Sequence, residues 1–251
     1  MTGATAGLGL ATMKLLAARG ARLILLARRP IEGVANVIQC DLALMSSVRQ
    51  AAADLAALGT PIDVIINDAA VVTPTRTLTA EGNETMLATN YLGPALLTRL
   101  ILDALPADHP VKLIAVGGPL TAKPDLDDLD SAQSFSSRTA FERSKTALNL
   151  FTAAVPRHAG RPNLRAVIYS PGLMKTNLSE TIAGSLVTKV LPSPASRAEG
   201  LALLAASTNL ADAAPGTLFN SKGEATPMPL IDDIDLQDKL WSLTSQRLGL
   251  A

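Results

Sequence analysis

Gly3, Gly7 and Gly9 open the chain within the run Met1-Thr-Gly-Ala-Thr-Ala-Gly-Leu-Gly-Leu10. Apolar residues then recur at helical spacing (Leu10, Met13, Leu15, Leu16, Ala17) up to Gly20, and Leu23–Leu26 follows as a short apolar run that reads as a strand. Such a turn needs glycine for three reasons. One glycine permits positive φ, one lets a pyrophosphate approach the backbone, and one lets the helix pack close to a strand. Free N–H groups at the helix start then hold phosphate charge. The alternative is an ordinary glycine-rich turn, but turn, helix and strand in this order favour a dinucleotide site. Thr5, Ala6 and Leu8 belong to the same turn. Only Met1 and Thr2 precede Gly3, so the first strand, normally the centre of such a sheet, reads as truncated at the N-terminus.

The rest of the chain alternates strands and helices. Val37–Cys40 reads as a strand followed by Asp41-Leu42, and Ser46 or Ser47 can cap a helix bearing Val48, Ala51, Ala52, Leu55 and Leu58 on one face. Ile62–Ile66 is a strand ending in Asn67-Asp68-Ala69-Ala70. A helical stretch from about Glu81 to Ala104 is expected to bend at Gly93-Pro94. Val111–Val116 is a strand stopped by Gly117-Gly118-Pro119, and Thr121–Ser136 is an acidic irregular loop. Thr139–Ala154 is helical, and Leu164–Tyr169 is a strand before Ser170-Pro171-Gly172. Residues 173–194 have little periodicity and read as a substrate flap. Helices from Ser196 and from Asp233, with a strand at Thr217–Phe219 between them, complete the pattern. The alternation implies an α/β fold of the Rossmann type: a doubly wound parallel sheet with helices on both faces, in a single domain over residues 1–251.

Composition narrows the function. Hydrophobic residues are 48% and aromatics 3%, so the core must be aliphatic. Net charge is zero with no basic stripe, which argues against a nucleic-acid partner or electrostatic membrane attachment. The single Cys40 fits a reducing compartment, and neither a signal-like start nor an apolar run approaching ~20 residues is seen, so a cytoplasmic protein is expected. One cysteine and two distant histidines supply no metal-ligand spacing.

These motifs together resemble the short-chain dehydrogenase/reductase family over nearly the whole chain. Thr2 to Gly9 is similar to its cofactor turn, and Asp41-Leu42 to the pair that holds the adenine. Asn67-Asp68-Ala69-Ala70 resembles the family's Asn-Asn-Ala-Gly with two changes, and Asn90 falls at the helix asparagine that anchors a proton-relay water. Pro171, Gly172 and Thr176 resemble the segment that closes over the nicotinamide. Leu240–Ser245 and the long gap between Val116 and Lys145 resemble the retinol-dehydrogenase-like branch. At the end of the second strand, where a carboxylate would hold NAD, Arg28 and Arg29 stand instead. A guanidinium there suits the 2′-phosphate of NADP(H), unless the two arginines are simply solvated. A homodimer is also consistent with the resemblance.

The resemblance implies a tyrosine four residues before a lysine, one helical turn away on the same face, and a serine at the preceding strand end. Here Lys145 is present, but Phe141 stands at the tyrosine position and Gly118 at the serine position. A positioned acid supplies ~10²–10⁴ in rate and an oxyanion-type donor roughly 10²–10³, so ordinary carbonyl reduction should be slow. Asp68, Tyr169 and a desolvated Lys145 are the residues that could move a proton instead, although Asp68 also suits a loop bonding its own backbone. Tyr91 reads as a packing residue with its hydroxyl at the helix surface. The sequence leaves three readings open. One is an atypical NADP(H)-dependent reductase of a small apolar molecule. The second is a non-redox, cyclase-like enzyme on the same scaffold, and the third a non-catalytic NADP(H)-binding sensor.

Overall fold

Most of the apolar runs form parallel strands, and the amphipathic stretches between them form the helices that cover the sheet. The computed structural model describes residues 1–31, 36–174, 191–208, 210 and 212–250. In chain order these give α1 (Gly7–Ala18), β1 (Leu25–Ala27), β2 (Val37–Gln39), α2 (Met45–Ala57) and β3 (Val64–Asn67). A single turn α3 (Thr85–Leu87), a π-helical turn (Ala88–Leu92) and α4 (Gly93–Ala104) then run on without a break. β4 (Val111–Val116), α5 (Ser137–His158), β5 (Leu164–Ser170), α6 (Ala195–Ala206), β6 (Thr217–Asn220), β7 (Ala225–Thr226) and α7 (Ile234–Leu248) follow.

β1 pairs in parallel with β2; β3, β4, β5 and β6 pair in parallel in that order, with β7 antiparallel at the edge. Met1 and Thr2 join the two halves. Thr2 bridges Leu26 in parallel, Leu26 N donates to Met1 O at 2.9 Å, and Thr2 N donates to Ile66 O at 3.0 Å. These two residues therefore hold the central strand place, and the strand order reverses between Thr2 and β3. In a doubly wound sheet that reversal opens a crevice at the carboxyl ends of the strands, where ligands bind.

The core lies on both faces. Val111, Leu113 and Ala115 of β4 point into the cluster formed with α2, α4, α5 and α7, while Ile114 and Val116 point into the one formed with α1 and α6. No helix among the described residues is long and apolar enough to cross a membrane.

Local contacts move several expected boundaries. The helix expected from Glu81 starts at Thr85, because residues 79–84 close a turn in which Gly82 takes φ +81° and Thr79 N donates to Asn83 O at 2.8 Å. Glu84 then caps it, accepting from Met86 N at 3.0 Å and Leu87 N at 2.7 Å. The expected bend at Gly93-Pro94 is preceded by the π turn, which absorbs the hydrogen bond that Pro94 cannot make. α2 is capped neither by Ser46 nor by Ser47. The Glu81 carboxylate accepts from Met45 N at 2.5 Å and Ser46 N at 3.0 Å, and Ser47 Oγ accepts from Asp41 N at 3.0 Å.

Candidate active site

The glycine turn crosses the crevice. Gly3 and Gly7 adopt φ +77° and +55°, in the left-handed region that glycine occupies without strain. A Cβ at Gly9 would lie 2.2 Å from Gly3 O, and one at Gly3 only 2.7 Å from Ala69 N, so α1 is pressed against both the turn and the end of β3. No side chain caps α1 at Ala6 and no acidic residue lies in its first turn; the Asp68 carboxyl takes the Gly9 N–H, and the exposed Gly7 end of the helix is left to an anion. Thr5, Ala6 and Gly7 are exposed, whereas Leu8 and Gly9 are buried.

Strand ends bring the other candidates to the same edge. Arg28 and Arg29 emerge exposed directly after β1. Asp41 follows β2, its carboxylate accepting from Ala43 N at 3.0 Å, and Leu42 is buried. Asn67 ends β3 and donates to Thr98 Oγ1 of α4 at 3.0 Å. Thr2 Oγ1 accepts from both Asp68 N and Ala69 N at 3.2 Å, which fixes this loop to the central strand place.

Asn90 sits in the π turn and uses its whole amide. Oδ1 accepts from Val71 N at 2.8 Å, and Nδ2 donates to Val71 O at 2.9 Å and to Ser144 Oγ at 3.0 Å. Ser144 Oγ donates in turn to Phe141 O at 2.7 Å. Lys145, one helical turn beyond the half-buried Phe141, is itself buried, and its Nζ has no hydrogen-bond partner among the described residues. Burial pushes its pKa down to about 8, against the opposing charge of Asp68. The Asp68 carboxyl stands against the glycine turn, with Oδ2 in the space a Cβ at Gly3 or Gly9 would need. Burial pushes its pKa up to about 7, opposed by Lys145 and by the Gly9 N–H that it accepts.

The ends of β4 and β5 complete the site. Asn149, four residues after Lys145 on α5, donates from Nδ2 to Gly118 O at 3.0 Å. A Cβ at Gly117 would lie 2.1 Å from Asn149 Oδ1, whereas one at Gly118 would meet, among the described residues, only Ser170 Oγ, at 3.7 Å. Pro171 and Gly172 (φ +67°) follow β5.

The structure does not bring Tyr169 into this group. Strand alternation turns it to the opposite face, among Leu8, Leu16, Leu201 and Ala202, and its hydroxyl donates to Arg197 O at 2.5 Å. Tyr91 is fully buried rather than surface-directed, its hydroxyl 2.5 Å from Thr244 Oγ1. Thr176 and most of the stretch 173–194 lie outside the described residues. Sequence reasoning took Thr2 only as the start of the cofactor turn and passed over Ser144 and Asn149. Of these only Asn149 carried a signal, being a polar residue four positions beyond Lys145.

Residues 1–185 match the short chain dehydrogenase family, so the chain belongs to that family. Human retinol dehydrogenase 13 is 29% identical over an alignment 278 positions long, which spans 100% of this chain and 84% of that protein. A crystal structure of a protein from Mycobacterium paratuberculosis superposes with a TM-score of 0.74 at 27% identity, covering 99% of this chain and 92% of that one. Two solved structures of the same fold were determined with different cofactors. A blue fluorescent protein from a metagenomic library holds NADPH (TM-score 0.66, 21% identity, 88% of this chain and 94% of that one). A short chain dehydrogenase from Leptospira borgpetersenii holds NAD+ (TM-score 0.65, 19% identity, 87% of this chain and 88% of that one).

Proposed function

We propose that the chain is an NADP(H)-dependent oxidoreductase, working as a reductase on a small apolar molecule with Phe141 and Gly118 in place of the family's tyrosine and serine. The observation that carries this reading is the Lys145 ammonium, buried and without a hydrogen-bond partner among the described residues at the carboxyl edge of the sheet. The Asp68 charge offsets part of its burial, but a buried ammonium whose N–H donors make no hydrogen bond is still costly, and ribose hydroxyls of a bound nicotinamide nucleotide would accept them.

The other residues fit the same ligand. The turn from Gly3 to Gly9 and the uncapped start of α1 would hold the pyrophosphate. Arg28 and Arg29 would take the 2′-phosphate through charge-assisted hydrogen bonds. Asp41 and Leu42 would flank the adenine, with Asn67 and Ala69 beside them. Pro171, Gly172 and Thr176 would cover the nicotinamide. Bound NADPH supplies a hydride. Phe141 offers an apolar wall and no proton, so Asp68 and Lys145, whose pKa values lie at about 7 and about 8, are the groups in this crevice able to exchange one near neutral pH. The half-buried strand-end loop around Asp68 is tied to the cofactor turn through Gly9, which couples its charge to phosphate binding. Buried Cys40 is in keeping with a reducing compartment.

The test is a calorimetric titration with NADPH and with NADH, followed by a screen of hydride acceptors read as NADPH oxidation. NADPH binding that Lys145→Met weakens at least tenfold supports the reading. NADPH binding with no acceptor turned over would favour the non-catalytic sensor, and turnover without NADPH would favour the non-redox enzyme.

A further inference from the structure

We propose that the Ser170 hydroxyl is the hydrogen-bond donor to the substrate oxygen, in place of the side chain that position 118 lacks; this rests on the cofactor site assigned above. Ser170 ends β5 and is 7% exposed. Among the described residues its Oγ makes no hydrogen bond, and it is not one of the fully enclosed polar atoms, so it stays open to an oxygen brought into the crevice.

Its direction follows from the strand. Ala166 packs in the α5-side cluster, and a Cβ at Gly117 would touch both Asn149 of α5 and Ile168. Ala166 and Ile168 therefore point toward α5, and the period of two places Ser170 on that face as well. Tyr169 between them points the other way, toward α1 and α6.

Position follows from the neighbouring strand. β4 and β5 are in register, with Val116 opposite Tyr169 and Gly117 N donating to Tyr169 O at 2.9 Å. Gly118 and Ser170 are thus adjacent, and Ser170 Oγ lies 3.7 Å from where a Cβ at 118 would be. A serine at 118 would carry its hydroxyl into the space beside Ser170 Oγ. Position 117 cannot provide it, since Asn149 Oδ1 occupies that space. Asn149 also holds Gly118 O and stands one turn from Lys145, so the Ser170 hydroxyl, the bare Gly118 backbone and the Lys145 ammonium share one face of the crevice. A hydroxyl whose oxygen is placed by the strand end can turn its proton to a carbonyl oxygen as negative charge builds there, at a site from which water is largely excluded. It stabilises the oxygen, and the proton that completes the alcohol comes from Asp68 or Lys145, as proposed above, or from solvent.

The experiment measures steady-state reduction of benzaldehyde, aliphatic aldehydes and cyclohexenone by the full chain, with NADPH affinity determined separately by calorimetry. Ser170→Ala should lower kcat by roughly 10²-fold while leaving NADPH affinity within twofold. Adding Gly118→Ser to Ser170→Ala should restore at least tenfold of the loss, which a merely structural role for Ser170 would not allow. Ser170→Ala with kcat within twofold of the parent overturns the proposal. So does a parent chain that binds NADPH and reduces none of these carbonyls. Absence of NADPH binding to the parent chain overturns the cofactor assignment instead, and the Ser170 proposal falls with it.

Discussion

Asn90 grips Val71 by both of its backbone groups, accepting from the amide at 2.8 Å and donating to the carbonyl at 2.9 Å. The contact pins the loop after β3 to the π turn, and the same side chain reaches Ser144 on α5. Three elements of the crevice are thereby held by one amide.

Asn90→Leu keeps the branching and the number of heavy atoms and removes those bonds. At about 1 kcal/mol for each of the two Val71 bonds, the loss is about 2 kcal/mol. That corresponds to a fall in melting temperature of roughly 4–8 °C for a chain of this size. Calorimetric melting checks it, and an unchanged melting temperature would show that the loop is held by other contacts.

Restoring the family's pair should raise carbonyl reduction. Phe141→Tyr with Gly118→Ser is expected to increase kcat/KM for aldehydes at least tenfold, because a positioned acid alone supplies ~10²–10⁴. Gly118 has room for the new side chain, whereas Gly117→Ser would drive its Cβ to 2.1 Å from Asn149 Oδ1. Gly117→Ser should therefore lower stability and give no gain in rate. Steady-state kinetics with melting curves separates the two glycines.

Asp68 makes stability depend on pH. Its carboxyl titrates at about 7 in the folded chain against an ordinary value of 3.8, so between those values the folded state binds the proton and the unfolded state does not. Stability from this group is full at the acid end and is lost as pH rises toward 7. Lys145, lowered from 10.5 to about 8, acts at higher pH, where its burial cost is relieved as pH rises through that window. Asp68→Asn should gain stability relative to the parent progressively from pH 4 to pH 7, read by urea unfolding across that range. Parallel curves would mean that the carboxyl is not held protonated.

Lys112 is a structural ammonium. It leaves β4 and donates to Leu204 O, Ala205 O and Ser207 O at 3.2, 2.7 and 2.5 Å, closing the carboxyl end of α6. Lys112→Met retains the stem and removes the charge from a helix end that favours it. A loss of about 2 kcal/mol is expected in urea unfolding, with NADPH affinity unchanged.

Much of this architecture was legible because its signals are local. Glycine spacing marked the turn, apolar runs marked β3, β4 and β5, and the spacing from Phe141 to Lys145 placed both on one side of α5. What the sequence hid depends on contacts distant along the chain. Glu81 caps α2 from 35 residues away, and Met1 and Thr2 complete the sheet only through partners in β1 and β3. Tyr169 and Ser170 are neighbours in sequence at the same strand end. Only the pairing of β4 with β5 and the packing of the two clusters put the tyrosine on the α1 and α6 side and the serine, by alternation, on the α5 side. The π turn around Asn90 was likewise invisible, since its residues read as ordinary helix.

The most direct measurement is a calorimetric titration of the full chain with NADPH and NADH, repeated on Arg28→Ala. Arg28 and the glycine turn predict NADPH binding at least tenfold tighter than NADH, with the preference removed in the variant and NADH affinity unchanged. Equal affinity for the two cofactors, tighter NADH, or no binding of either would contradict the assignment of this crevice to NADP(H).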